Sequence, residues 1–220
     1  MERGYNLYLS YMGKFSKLLA FACCLASVVA SADEMPGRGK ILVATDEVRG
    51  LAFAQSVILL LQHDETGTLG LVLNRPIDAA AADALRQQAD LGAYQGAFFW
   101  GGPVLPYTLR ALVRTDAPPE NAVRIFADVH LVNIDENLLA DTANSPNIRL
   151  FVGYAGWGAG QLEYELAFDS WHVLPATEDA VFTEDFGESW RKLSPRRKFR
   201  VDGEMTESLG PGRLVSQALF

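Results

Sequence analysis

The sequence predicts an α+β fold built on a largely antiparallel or mixed sheet with short flanking helices. Short apolar runs of strand length recur along the chain. Polar links of hairpin type join several of them. The helical segments are short and do not alternate regularly with strands, as a parallel sheet would require. Composition fits a globular domain, because 49% hydrophobic and 21% charged residues exclude a disordered chain.

The elements follow in order. Residues 41–45 (ILVAT) read as the opening strand. Residues 55–62 and 69–74 are buried runs separated by a polar stretch from His63 to Thr68, which suggests an antiparallel pair with a six-residue loop. Asp78 is placed to cap a helix over 79–89, rich in Ala, Leu and Gln. Residues 97–100 form a strand stopped by Gly101-Gly102-Pro103, followed by strands over 109–114, 123–127 and 129–134. Asp135 can cap a short helix over 136–140, and residues 148–154 (IRLFVGY) form the strongest strand, ended by a glycine cluster. Residues 161–167 read as helical, 171–174 as extended, and Thr177 or Glu178 opens a further short helix. Phe98, Phe99 and Trp100 read as core.

The two ends differ in character from this body. Residues 18–30 (LLAFACCLASVVA) form an uncharged run of 13, shorter than the roughly 20 a spanning helix needs. Lys14 and Lys17 precede the run and Ala30-Ser31-Ala32 follows it, so residues 1–32 read as a secretory signal peptide. The expected domain is then 33–193, periplasmic or secreted, with no stable membrane span after signal removal. A start at Met12 would shorten the leader, and one at Met35 would abolish it and leave a cytosolic protein. Residues 194–220 read as a mobile tail, with the basic cluster Arg196, Arg197, Lys198 and Arg200.

Charge and cysteine usage narrow the chemistry. Both cysteines, Cys23 and Cys24, leave with the leader, which excludes thiol catalysis, disulfides and Cys-based zinc in the exported form. Loss of Glu2, Arg3, Lys14 and Lys17 moves the formal charge from −8 to −10. Such a balance argues against direct nucleic-acid binding, whose affinity rests on Lys and Arg at phosphates.

The most unusual segment is Gly153-Tyr154-Ala155-Gly156-Trp157-Gly158-Ala159-Gly160-Gln161-Leu162-Glu163-Tyr164-Glu165. It runs from strand to helix, yet the dinucleotide pattern fails because Gln161 stands where a third glycine is required. No Gly-Lys-Ser/Thr follows a glycine loop, and Glu163 and Glu165 would repel a phosphate at the helix start. No cofactor is implied. On a helix these two carboxylates diverge, while Gln161 and Glu165 share a face. His63 beside Asp64 and Glu65 could pair with a carboxylate for acid–base work, although a polar hairpin loop favours a solvated ring. His130 is expected on an exposed sheet face and His172 half-buried; the three histidines show no metal spacing. Asn74-Arg75-Pro76 ends a strand with Arg75 placed to meet an anion. No serine-nucleophile elbow occurs.

The long glycine–tryptophan segment resembles the hallmark of the AlgH/YqgE-like family, a bacterial family without an established biochemical activity. Gly39–Ala44, Phe53–Val57, the spacing of His63, Gly67, Gly70, Asn74 and Pro76, the turn Gly101-Gly102-Pro103-Val104, and Trp171 with Pro175-Ala176 extend the resemblance over 39–193. It implies a bent sheet closed into a pseudo-barrel and carries a transcriptional-regulator label. Thr45 and Gly50-Leu51 depart from the pattern, where Pro and Asp-Pro are usual. A leader also departs from it, and a secreted protein cannot act on transcription. The expectation is an exported, non-enzymatic binding or regulatory module with a protein or small-molecule partner. Its contacts are expected among His63, Asn74, Arg75, Gly102, Pro103, Trp157, Gly158, Gln161 and Glu163. The alternatives are a cytosolic regulator starting at Met35 and a small-molecule enzyme using His63.

Overall fold

Strands buried on both faces need no alternation of polar and apolar residues, and this chain uses that licence repeatedly. In β1 (Lys40–Ala44), Ile41 and Val43 enter one core while Leu42 and Ala44 enter another. In β2 (Val57–Asp64), Val57 and Leu59 join the first and Ile58 and Leu60 the second. The computed structural model describes residues 34–50, 52–89, 91, 94–134, 145–194, 198–201 and 204–207, within the compact unit Asp33–Phe220. The expected leader over 1–32 and the expected helix over 136–140 lie outside the described residues.

The remaining strands are β3 (Gly67–Val72), β4 (Phe98–Trp100), β5 (Val104–Arg114), β6 (Val123–Phe126), β7 (Val129–Val132), β8 (Ile148–Gly158), β9 (Trp171–Pro175), β10 (Lys198–Val201) and β11 (Glu204–Glu207). Nine form one curled sheet in the order β6-β7-β5-β8-β3-β2-β1-β9, with β4 attached to β8. Among the described residues only the β4–β8 pair of this sheet is parallel, so the sheet is mixed and mainly antiparallel, as the sequence predicts, and it curls into a half-barrel, in keeping with the bent pseudo-barrel that the resemblance implies. One core gathers Phe99, Leu112, Ile125, Val129 and Phe151 with Ile41, Val43, Val57 and Leu59 of β1 and β2.

Four short helices flank the sheet among the described residues. Helix α1 (Ala79–Gln88) starts where Asp78 accepts from the Ala81 amide at 2.9 Å. It covers Phe98, Ala111 and Leu150 through Ala82. Helix α2 (Gln161–Ala167) sets Leu162 against Leu42, Leu60 and Trp171. Helix α3 (Glu178–Phe182) is capped by the Thr177 hydroxyl, and α4 (Ser189–Leu193) follows.

Four expectations change. The glycine cluster does not end the long strand; it lies inside β8, because that strand changes partner midway. Residues 148–152 pair with β5 and residues 155–158 with β3. Gly153 turns the corner at φ +67°, and a Cβ at Gly102 (φ +149°) would lie 2.2 Å from the Tyr154 carbonyl carbon. Only glycine admits both the dihedral and the contact. The β2–β3 loop is two residues rather than six: Asp64 pairs with Gly67, and Asp64 Oδ1 holds the turn through the Thr66 amide and hydroxyl.

His130 is buried, at 6% exposure, rather than on an open face. Its strand β7 is interior, between β5 and β6, and the ring contacts the Asp128 carbonyl through Nδ1 at 3.1 Å. Within the expected tail, β10 and β11 form an antiparallel hairpin from Lys198–Glu207 to Val201–Glu204. Asp202-Gly203 between two short runs was a legible hairpin signal.

Candidate functional site

The nine residues expected at the site occupy three places. His63, Trp157, Gly158, Gln161 and Glu163 gather at the closed end of the β2–β3 hairpin, where β8 runs into α2. Asn74 and Arg75 stand beyond the open end, roughly 20 Å away for six residues at about 3.3 Å each. Gly102 and Pro103 lie between, with Gly102 packed on the backbone of β8. An aromatic group links these places: the Phe53 ring centroid lies 6.1 Å from Trp100, 6.2 Å from Trp157 and 6.2 Å from Trp171.

At the closed end, the carboxylate that meets His63 is Glu163, not its sequence neighbours. His63 Nε2 lies 3.5 Å from Glu163 Oε1, and its Nδ1 hydrogen-bonds with Thr68 Oγ1 at 2.8 Å. The histidine side chain is 18% exposed, so it is neither the solvated loop residue expected nor fully enclosed. The order hydroxyl, imidazole, carboxylate resembles a nucleophile relay. Thr68, however, is 2% exposed, which shields its hydroxyl from a substrate.

Beside it, Glu165 organises the tryptophan segment. Its Oε2 accepts from Trp157 Nε1 at 2.9 Å and from Trp171 Nε1 at 2.7 Å, and its Oε1 accepts from Gln161 Nε2 at 3.0 Å. Gln161 Oε1 in turn accepts from the Gly158 amide at 3.1 Å. A helical i, i+4 spacing brings Gln161 and Glu165 together, while Glu163 turns toward His63. Trp157 is 6% exposed and packs in a core. This arrangement holds the strand–helix junction shut, and its acceptors are consumed internally.

The open end is different. A cleft of about 470 Å³ is lined by Gln55, Asn74, Arg75, Pro76, Trp190 and Arg191, among others. Asn74 locks the neighbouring chain by accepting from the Val57 amide and donating to the Gln55 carbonyl. Gln55 itself holds φ at +57°, a strained setting for a residue with a side chain. The Arg75 guanidinium donates to the Ala54 carbonyl at 2.8 Å and lies 5.7 Å from the Trp100 ring centroid. Burial draws its pKa below the ordinary arginine value.

Sequence reasoning missed two residues. Glu165 was weighed for its charge at a helix start and for its shared face with Gln161, but not as an acceptor for Trp157 and Trp171, because both indoles come from other elements. Arg149, in β8, is 7% exposed and lines a second cavity. No sequence signal marks it. Among the described residues, no group of three or more His, Asp or Glu side chains is placed to hold a metal ion. No helix among them is long and apolar enough to cross a membrane.

Comparison with known proteins returns one family model, described as AlgH-like, matching residues 41–201. A UPF0301 protein of Streptomyces avermitilis is 38% identical over 168 residues, spanning 73% of this chain and 86% of the relative. A UPF0301 protein of Chlorobium limicola is 32% identical over 158 residues, spanning 70% and 83%. The crystal structure of a Corynebacterium diphtheriae protein superposes with a TM-score of 0.62 at 26% identity, over 73% of this chain and 86% of the other. The solution structure of AlgH from Pseudomonas aeruginosa does so with a TM-score of 0.55 at 27% identity, over 66% and 80%.

Proposed function

The chain belongs to the AlgH-like family, and from that premise we propose that it is an exported, non-enzymatic binding or regulatory protein that receives an anionic group of its partner beside Arg75. One observation carries the binding part: Arg75 and Arg191 line the same cleft, next to the strained Gln55 backbone. Arg75 is already oriented by Ala54 and Trp100, so little side-chain freedom remains to be lost on binding. A partly desolvated guanidinium interacts more strongly with an incoming carboxylate or phosphate than one in water. The overall negative charge opposes a polyanion such as nucleic acid, which leaves a small anion or one acidic group of a protein as the occupant.

Two further observations support the rest. The relay at His63 ends on a buried hydroxyl, which favours binding over catalysis. The uncharged run over 18–30, set between Lys17 and Ala30-Ser31-Ala32, supports a cleavable leader.

Titration with inorganic phosphate and with citrate, followed by Trp190 and Arg75 side-chain resonances, tests the cleft. Saturable shifts in the natural protein, weakened about tenfold in Arg75→Ala, are expected for a charge-assisted contact. Shifts that persist unchanged in both Arg75→Ala and Arg191→Ala would place binding elsewhere. Intact mass of the native protein with cell fractionation tests export. A chain beginning at Asp33 outside the cytosol is expected, and one beginning at Met35 within it would restore the transcriptional alternative.

A further inference from the structure

We propose that the cavity over Arg149 is a second binding site, for a small monocarboxylate with an apolar, ring-sized body. The cavity measures about 310 Å³, at the lower end of the range for small-molecule sites. Its floor is buried and consists of Tyr94, Phe99, Ile148 and Arg149, while its rim includes the exposed Pro146 and Glu184. Nothing in the sequence pattern singled out this place, and it shares no lining residue with the Arg75 cleft.

The chemistry turns on a buried charge. Arg149 Nη2 donates to the Thr183 carbonyl, and the guanidinium lies 4.8 Å from the Phe99 ring centroid and 5.9 Å from that of Phe182. Its Nη1 is closed off from solvent and meets no acceptor among the described residues. Ring faces attract a cation but do not replace an oxygen acceptor, so the buried charge stays under-satisfied. Burial also draws the Arg149 pKa down to about 10, against the pull of Tyr94 and Glu184. An anion admitted to the cavity that Arg149 lines would offset this poorly solvated charge.

The walls select which anion. The Tyr94 hydroxyl already donates to the Ala97 carbonyl, leaving the guanidinium as the main donor on the floor. One such fork suits the two oxygens of a carboxylate and leaves a phosphate's third oxygen unmet. Glu184 at the rim opposes a dianion. Phe99, Phe186 and Ile148 supply the apolar wall against which a ring or branched chain can pack.

Phenylacetate is the probe, with phenethyl alcohol as the uncharged counterpart of the same body. In the natural protein, phenylacetate should shift the Ile148 and Arg149 amide resonances saturably and raise Tm, and the alcohol should bind at least about tenfold more weakly. Arg149→Met should weaken phenylacetate about tenfold or more, and Ser145→Trp, at the half-buried edge of the cavity, should block it. Arg75→Ala should leave it unchanged, which separates this site from the cleft described above. The proposal is overturned if phenylacetate gives no saturable shift, if the alcohol binds equally well, or if Arg149→Met retains full binding. Loss of binding in Arg75→Ala overturns it too. Should Arg149→Met not fold, Ser145→Trp decides alone: undiminished binding there overturns the site, and loss of binding in a folded protein supports it.

Discussion

The Trp157 indole nitrogen at the end of β8 donates to Glu165 Oε2, eight residues later on α2, at 2.9 Å. Trp171 of β9 donates to the same oxygen, so one carboxylate joins two strands and a helix. Glu165→Ala should therefore leave two largely buried indole N–H groups without an acceptor. A loss of about 2–4 kcal/mol is expected, with a red-shifted tryptophan emission. Glu165→Gln keeps an acceptor oxygen and should cost less than half as much. Urea denaturation of the two variants checks this.

Gly102 and Gly160 both hold positive φ, but their surroundings differ. A Cβ at Gly102 would enter the β8 backbone, 2.2 Å from the Tyr154 carbonyl carbon, whereas nothing lies within 4 Å of one at Gly160. Gly160→Ala should cost about 1–2 kcal/mol from the dihedral alone. Gly102→Ala should cost about 3 kcal/mol or more, because backbone must move. Denaturation midpoints of the pair separate strain from collision; equal losses would refute the close approach.

Thr68 and Glu163 bracket His63 but should matter unequally. Thr68→Val removes the buried partner of Nδ1 and is expected to cost about 1 kcal/mol, largely restored by Thr68→Ser. Glu163 is 53% exposed, and Glu163→Gln should change stability by less than about 0.5 kcal/mol. Chemical denaturation at neutral pH reads both.

Asp64 makes part of the stability pH-dependent. The Thr66 hydroxyl and amide and the Gln62 side chain donate to its carboxylate and hold its pKa below the ordinary aspartate value. A carboxylate with a lowered folded pKa contributes stability that is full above the unfolded value and is lost as pH falls through the folded one. The Asp64→Asn profile should therefore run parallel to that of the natural protein above about pH 5 and fall less steeply below it. Denaturation midpoints between those limits check the slope.

Much of the frame was legible because it depends on local signals. The Asp78 and Thr177 caps, the helix over Gln161–Ala167 and the runs that became β1, β2 and β9 follow from capping chemistry and strand-length hydrophobicity. Local signals also separate Glu163 from Glu165. They failed where a partner strand decided the outcome. The glycines of β8 resemble a loop until β3 and β5 are seen to claim successive halves of the strand.

By itself, then, the sequence determined most of the strands and helices of the body, the mixed character of the sheet and the family likeness, because backbone preference and side-chain period act within a few residues. Only the tertiary structure decided which faces were covered and which distant groups met. His63 found Glu163, 100 positions away, and Arg149 became buried in an apolar strand. The physical reason is that burial and electrostatic pairing depend on distances across the curled sheet, which separation along the chain does not encode.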